Sequence, residues 1–277
     1  MPTIADKRKT FRKLHESGCF VIPNPWDVGS ARYLQHLGFK AIASTSAGFA
    51  FAQGYPDGAV SRDVMLAHLH ELAHASDLPL NADFEAGYAD DLAGVAESVR
   101  LAIEAGVSGL SIEDGVDRKL YSIDDAIARV KAARAAIDKA GGEVLLVGRC
   151  EGILWGRSNL DETIARLKAY ADAGADCLYA PGIKSREQIA AVVNAIAPKP
   201  VNLLMSSGAQ PLTVADLAAL GVRRISVGGA LARVAWGGVM RVAKQIADEG
   251  RFDGLNDSAT GAELNALFRD DLKKRNA

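Results

Sequence analysis

The chain has 277 residues, a formal net charge of −2 at pH 7, 49% hydrophobic residues and a mean hydropathy of +0.04. That is the composition of a globular protein with a sizeable core. Its balanced charge gives no electrostatic case for nucleic acid or an anionic membrane surface, and no apolar run approaches the ~20 residues of a spanning helix.

In chain order, eight short apolar runs read as strands: residues 20–23, 41–44, 78–83, 109–112, 144–149, 177–180, 201–205 and 224–227. Four of them follow the same signal, a helix stopped at glycine: Leu37-Gly38-Phe39, Ala105-Gly106-Val107, Ala173-Gly174-Ala175 and Leu220-Gly221-Val222. Glycine takes the left-handed position after a helix at little cost, and a strand apolar on both faces is what a parallel sheet buries. Helix starts are marked by Ser122-x-x-Asp125, Ser158-x-x-Asp161, Ser185-x-x-Gln188 and Thr213-x-x-Asp216, the capping-box form or its Asp variant. Eight strand–helix units in this length predict one (β/α)8 barrel spanning 1–277, with 248–277 a helical C-terminal appendage. An open doubly wound sheet is the rival, but no Gly-x-Gly-x-x-Gly follows the first strand.

The amino terminus has charges but no apolar segment behind them, so it does not read as a secretory signal. Cys19, Cys150 and Cys177 are odd in number and widely spaced, which fits reduced thiols in the cytoplasm.

A barrel's chemistry sits at the carboxyl ends of its strands, and here those ends are polar. Asn81, Asp83 and Glu85 close the third strand and Glu113 the fourth. Such an oxygen cluster suits a hard cation, Mg2+ with Mn2+ as the alternative; the bland reading is a set of loop ion pairs. Without a metal, the acids would raise one another's pKa values. Arg149 closes the fifth strand, either as a partner for Glu113 or Glu151 or as a bidentate clamp on a substrate carboxylate. Thr45, Ser46, Ala47 and Gly48 form either an anion cradle or a plain polar loop. Gly228-Gly229 stands where many barrels hold phosphate, a weak signal by itself. His68 and His70 cannot share a helix face, Cys150 reads as a small core residue and Lys184 as a solvated loop lysine.

The ordered set Pro23-Asn24-Pro25-Trp26-Asp27-x-x-Ser30-Ala31-Arg32, Thr45-Ser46-Ala47-Gly48, Asp57, Asn81-Ala82-Asp83-x-Glu85-x-Gly87-Tyr88, Ile112-Glu113-Asp114 and Arg149 resembles the isocitrate lyase/phosphoenolpyruvate mutase superfamily, over almost the whole chain. The resemblance implies a Mg2+-dependent barrel that binds 2-oxo acids or their enolates and breaks or forms C–C or P–C bonds beside the carbonyl. It implies a homo-oligomer, a tetramer or dimer, often with the last helix exchanged between subunits. It makes Asp83 the metal-site aspartate, Glu113 its outer partner, Asp57 an acid near the substrate and Arg149 the carboxylate clamp. Ser46-Ala47-Gly48 then receives the substrate's other end.

Three departures narrow the reading. The loop after Glu113-Asp114 is Gly115-Val116-Asp117-Arg118-Lys119-Leu120-Tyr121, without the Cys and His of isocitrate and methylisocitrate lyases. Lys119 stands in for the lysine that phosphonate mutases carry there, with no accompanying Asn. The family's Asp-x-Asp reads as Asn81-x-Asp83, one ligand charge fewer. The expectation is a Mg2+-dependent lyase cleaving a C–C bond of a small 2-oxo or 2-hydroxy dicarboxylate, with 115–121 a mobile lid. The alternatives are a phosphonopyruvate-type P–C hydrolase or mutase and a non-catalytic 2-oxo-acid binder.

Overall fold

The computed structural model describes residues 2–209 and 211–275. Eight parallel strands form one sheet: β1 (Phe20–Ile22), β2 (Ile42–Ala43), β3 (Leu80–Asp83), β4 (Gly109–Glu113), β7 (Leu145–Arg149), β8 (Cys177–Tyr179), β9 (Val201–Leu204) and β10 (Arg224–Ser226). Their order is β1-β10-β9-β8-β7-β4-β3-β2. Between β4 and β7 lies a separate antiparallel hairpin, β5 (Gly115–Val116) with β6 (Lys119–Leu120).

The seam between β1 and β2 closes without a ladder. Ala43 N–H donates to the Pro23 carbonyl at 3.0 Å. Asn24 Nδ2 donates to the Ser44 carbonyl at 2.9 Å, while Asn24 Oδ1 accepts from Val227 N–H at 3.0 Å and Gly228 N–H at 2.8 Å. One carboxamide thus joins the ends of β1, β2 and β10. The predicted barrel is the observed one.

The helix-stopping signals have the expected cause. Gly38, Gly106, Gly174 and Gly221 have φ of 85°, 101°, 106° and 85°, the left-handed region that glycine enters without a Cβ clash. Ser122, Ser185 and Thr213 cap their helices as their spacing requires, but Asn159 displaces Ser158 at the fourth, accepting from Glu162 N–H at 2.9 Å. The first helix, Ile4–Glu16, was not expected; its signal was a capping box formed by Thr3 and Asp6. It brings Phe11, fully buried, against the small interior cluster that includes Ile22, Leu145, Val147 and Cys177. A larger cluster lies between the sheet and its surrounding helices.

The C-terminal helix Gly261–Arg275 is tied back by a buried pair: Arg32 Nε lies 2.9 Å from Asp271 Oδ2. Residues 276 and 277 of the predicted appendage fall outside the described residues. No helix among the described residues is long and apolar enough to cross a membrane.

Candidate active site

The strand ends converge on Arg149. It is the last residue of β7 and the register partner of Glu113, the last residue of β4. Arg149 Nη1 lies 2.8 Å from Glu113 Oε1 and 2.9 Å from Asp83 Oδ1, and Nε donates to Glu151 Oε1. The guanidinium stands over the Tyr179 ring, 5.0 Å from its centroid. Nη2 has no hydrogen-bond partner among the described residues, so this edge of the fork is left for a ligand in the cavities that Arg149 lines.

Asp83 is held from the other side. Its second oxygen accepts from Ser46 N–H at 3.0 Å and Ser46 Oγ at 3.1 Å, and its own N–H donates to Ser44 Oγ at 2.8 Å. Ser46 Oγ also lies 3.3 Å from Asp57 Oδ1, which brings Asp57 into the same group. The Thr45–Gly48 segment is the start of the helix Ser46–Ala52, and much of its donor capacity is used internally: Gly48 N–H goes to Thr45 Oγ1 at 3.2 Å. Ala47 lines the inner cavity with Thr45 and Ser46.

Strand β3 ends at Asp83, and Glu85 follows in a turn at φ 46°, so the alternation does not run on to it. Tyr88 Oη donates to Glu85 Oε1 at 3.0 Å. Asn81 lies a layer deeper, where its Oδ1 accepts from buried Arg224 at 3.2 Å. The acid pair bordering the mouth is therefore Asp83 with Glu85, not Asn81 with Asp83, and the mouth lacks no ligand charge. Lys119 is exposed and does not line the mouth cavity; its neighbour Arg118 does. Within the expected lid, 115–121, Gly115–Val116 and Lys119–Leu120 pair as a hairpin with a two-residue turn.

Sequence reasoning weighed Glu151 only as a partner of Arg149; it is nearly fully buried and faces the cavity beside it. Asp114 supports from below, accepting from Glu151 N–H at 2.8 Å and Tyr170 Oη at 2.7 Å. Its pairing with Arg166 and Tyr170 depends on residues more than fifty positions away, which no local pattern reveals. Cys150 is buried and its thiol is held up, first by burial and then by Asp114. His68 stacks on Phe49 with centroids 3.7 Å apart.

Five carboxylates (Asp57, Asp83, Glu85, Glu113 and Glu151) thus line the mouth, and three of them, Asp83, Glu113 and Glu151, pair with Arg149. Burial raises the carboxyls of Asp57, Glu113 and Glu151 above their ordinary range, opposed by Arg149. Glu85 is pushed up to about 7 by burial, against the Tyr88 hydrogen bond that favours its ionised form. Among the described residues no three Asp, Glu, His or Cys side chains are grouped to cage a metal ion. The excess of buried negative charge nevertheless fits a divalent cation, and Mg2+ commonly takes one or two carboxylates with water and substrate oxygens completing its shell. Asp83 and Glu85 are the residues placed to hold one. The outer cavity has a volume of about 520 Å³, bounded by the hairpin, Leu154 and Trp155 as well as the acids.

An eight-stranded barrel with a charged cavity at the carboxyl ends of its strands has the form of a TIM-barrel enzyme. The sequence profile of the phosphoenolpyruvate phosphomutase family matches residues 11–247. The chain belongs to that family and is an enzyme of the PEP mutase/isocitrate lyase superfamily. It is 32% identical over 231 residues to an oxaloacetate decarboxylase of Paraburkholderia xenovorans (strain LB400), covering 79% of this chain and 74% of the relative. A crystal structure from Burkholderia cenocepacia J2315, provisionally assigned to the lyases or mutases, superposes with a TM-score of 0.92 at 47% identity, covering 96% of this chain and 97% of that one. An oxaloacetate acetylhydrolase solved with its product oxalate gives a TM-score of 0.85 at 30% identity, with 98% of both chains covered.

Proposed function

We propose that the protein is a Mg2+-dependent lyase that cleaves the C–C bond beside the carbonyl of a small 2-oxo or 2-hydroxy dicarboxylate through an enolate. The observation that carries this reading is the cavity in which Arg149 keeps one unbonded edge amid five acids. The relatives named for oxaloacetate chemistry support the class.

Arg149 orients the substrate by one carboxylate, and its other N–H groups are locked by Glu113, Asp83 and Glu151 so that the clamp does not swing. Mg2+ on Asp83 and Glu85 would act as the Lewis acid that stabilises the enolate oxygen. Asn81, whose Oδ1 accepts from buried Arg224, stays outside that ligand set, and Glu113, paired with Arg149 as Asp83 also is, serves as its outer partner. Asp57 faces the cavity with its carboxyl raised by burial, so it can hold a proton for return to the enolate carbon after the bond breaks. The hairpin, Leu154 and Trp155 restrict water. A homo-oligomer is part of the same proposal, supported by the apolar residues exposed on the helix Ala230–Glu249.

The test is a panel of 2-oxo and 2-hydroxy dicarboxylates, with phosphonopyruvate beside them, assayed for release of a 2-oxo acid with Mg2+, and again with EDTA. Turnover of at least one member, lost with EDTA and restored by Mg2+, is expected. Activity undiminished by EDTA would overturn the metal assignment, and turnover of phosphonopyruvate alone would overturn the C–C assignment.

A further inference from the structure

Arg118 is the other cation lining the mouth cavity besides Arg149. The two differ in their state. Arg149 is committed on Nε and Nη1 to three acids, whereas the Arg118 side chain makes no ion pair or hydrogen bond among the described residues.

Arg118 also occupies an unfavourable backbone position. Asp117 and Arg118 are the two central residues of the β5–β6 hairpin, at φ 51° and 60°. Both are left-handed, as a type I′ turn demands, and the second position is one that glycine normally fills. An arginine there costs roughly 1 kcal/mol or more in local strain. Turn preference therefore does not explain it, and strain of this kind is commonly retained where a side chain must be aimed.

The hairpin is held firmly enough to aim one. Gly115 lies so close to Trp155 and the Lys119 carbonyl that a Cβ would come within 2.5 Å of each. Arg157 Nε donates to the Arg118 carbonyl at 3.2 Å, and Asp114 N–H, at the hairpin's base, donates to the Arg149 carbonyl at 3.1 Å. The tip and the base are thus both anchored to the barrel. The register that pairs Val116 with Lys119 puts Asp117 and Arg118 at the hairpin tip; both Arg118 and Lys119 are exposed, but Arg118 borders the cavity and Lys119 does not.

We infer that Arg118 is the specificity-determining residue of this site, the receptor for the second carboxylate of a dicarboxylate substrate whose first carboxylate is taken by Arg149. This rests on the lyase reading above for its substrate class. A dianion entering a mouth lined with acids is repelled unless each end meets a cation, and Arg149 can serve only one end. A paired guanidinium–carboxylate contact also discriminates strongly against analogues that lack the group, because the site's own charge is then left unpaired.

The experiment compares wild type, Arg118→Gln and Arg118→Lys with Mg2+ present. It measures Kd calorimetrically for oxalate, pyruvate, oxaloacetate and 2-oxoglutarate, and kcat and KM for whichever dicarboxylate turns over. In Arg118→Gln the Kd or KM for oxaloacetate and 2-oxoglutarate is expected to rise ten- to a hundredfold, with pyruvate, and oxalate, whose two carboxylates are adjacent and leave no distal one for Arg118, changed less than twofold. Arg118→Lys should recover part of the loss. An equal loss for all four ligands, or none for oxaloacetate and 2-oxoglutarate, overturns the assignment. If wild type binds dicarboxylates in this Arg118-dependent way but turns none over, only the lyase reading falls; if it binds none of the four, both fall.

Discussion

Arg149 Nη1 sits 2.8 Å from Glu113 Oε1, and the two residues are register partners at the ends of neighbouring strands. An ion pair between adjacent strand ends stiffens the rim at the point where Asp83 and Glu151 also meet the guanidinium. Its role is positional as much as electrostatic, since burial without a partner costs several kcal/mol per ion.

Arg149→Met removes the clamp and strands three buried acids. The expected result is a fall in kcat/KM of at least a hundredfold, the size typical of losing one preorganised donor. Unfolding free energy should also drop by about 3 kcal/mol, the usual cost of breaking a buried pair from one side. Steady-state kinetics and urea titration read the two effects separately. Activity within threefold of wild type would remove Arg149 from the substrate site.

Asp83→Ala should abolish Mg2+ binding in calorimetry while circular dichroism stays native. The main-chain N–H of Ser46 loses its acceptor but remains near the open mouth, where water can replace it. Binding like wild type would show that the metal is held elsewhere.

Acid stability should depend on His15. Its ring packs edge-on to Phe11 at 4.6 Å, and burial, then the neighbouring Arg224, lower its pKa from 6.5 to about 3. The folded state therefore binds the proton more weakly than the unfolded chain. The stability is fully present above pH 6.5 and is lost as pH falls from there towards 3, by up to about 1.4 kcal/mol per pH unit. Denaturant unfolding at pH 7.5, 6 and 5 measures the slope. His15→Gln should flatten it, and an unchanged slope in that variant would assign acid sensitivity to other groups.

The helix Ala230–Glu249 exposes Val234 by 74%, Met240 by 66% and Trp236 by 41%. Apolar exposure on this scale marks an interaction surface. Sedimentation velocity should show a dimer or tetramer at micromolar concentration, and Val234→Glu with Met240→Glu should shift it to monomer. A monomeric wild type would sink the proposal.

Much of the barrel was legible because its signals are local. Glycine at Gly38, Gly106, Gly174 and Gly221 reports a left-handed residue directly, and the strands, buried on both faces, are largely apolar between the helices. The site was legible in residue type more than in placement. Asp83, Glu113 and Arg149 come together because strand ends in a parallel barrel must converge. Glu85 as a further ligand of the third strand assumed a strand two residues longer than the one that forms, whereas Asn81 does lie on the same side as Asp83 but deeper, where it accepts from Arg224. Lys119 was singled out because it stands in for the lysine that phosphonate mutases carry in this loop; a two-residue hairpin instead brings its neighbour Arg118 along the cavity. Asn24 had no local signal at all, since its three partners lie twenty and about two hundred positions away.

That asparagine sets different rules for different parts of the mouth. The hairpin can change its tip, and with it the ligand it greets, without disturbing how the barrel shuts. Asn24 has no such latitude, because its amide donates to one neighbouring strand end and accepts from another. An aspartate would offer Ser44 no donor and a serine would be too short to span the gap. New specificities in this scaffold are therefore expected to arise on the β5–β6 side of the rim, while the β1–β2 side stays fixed.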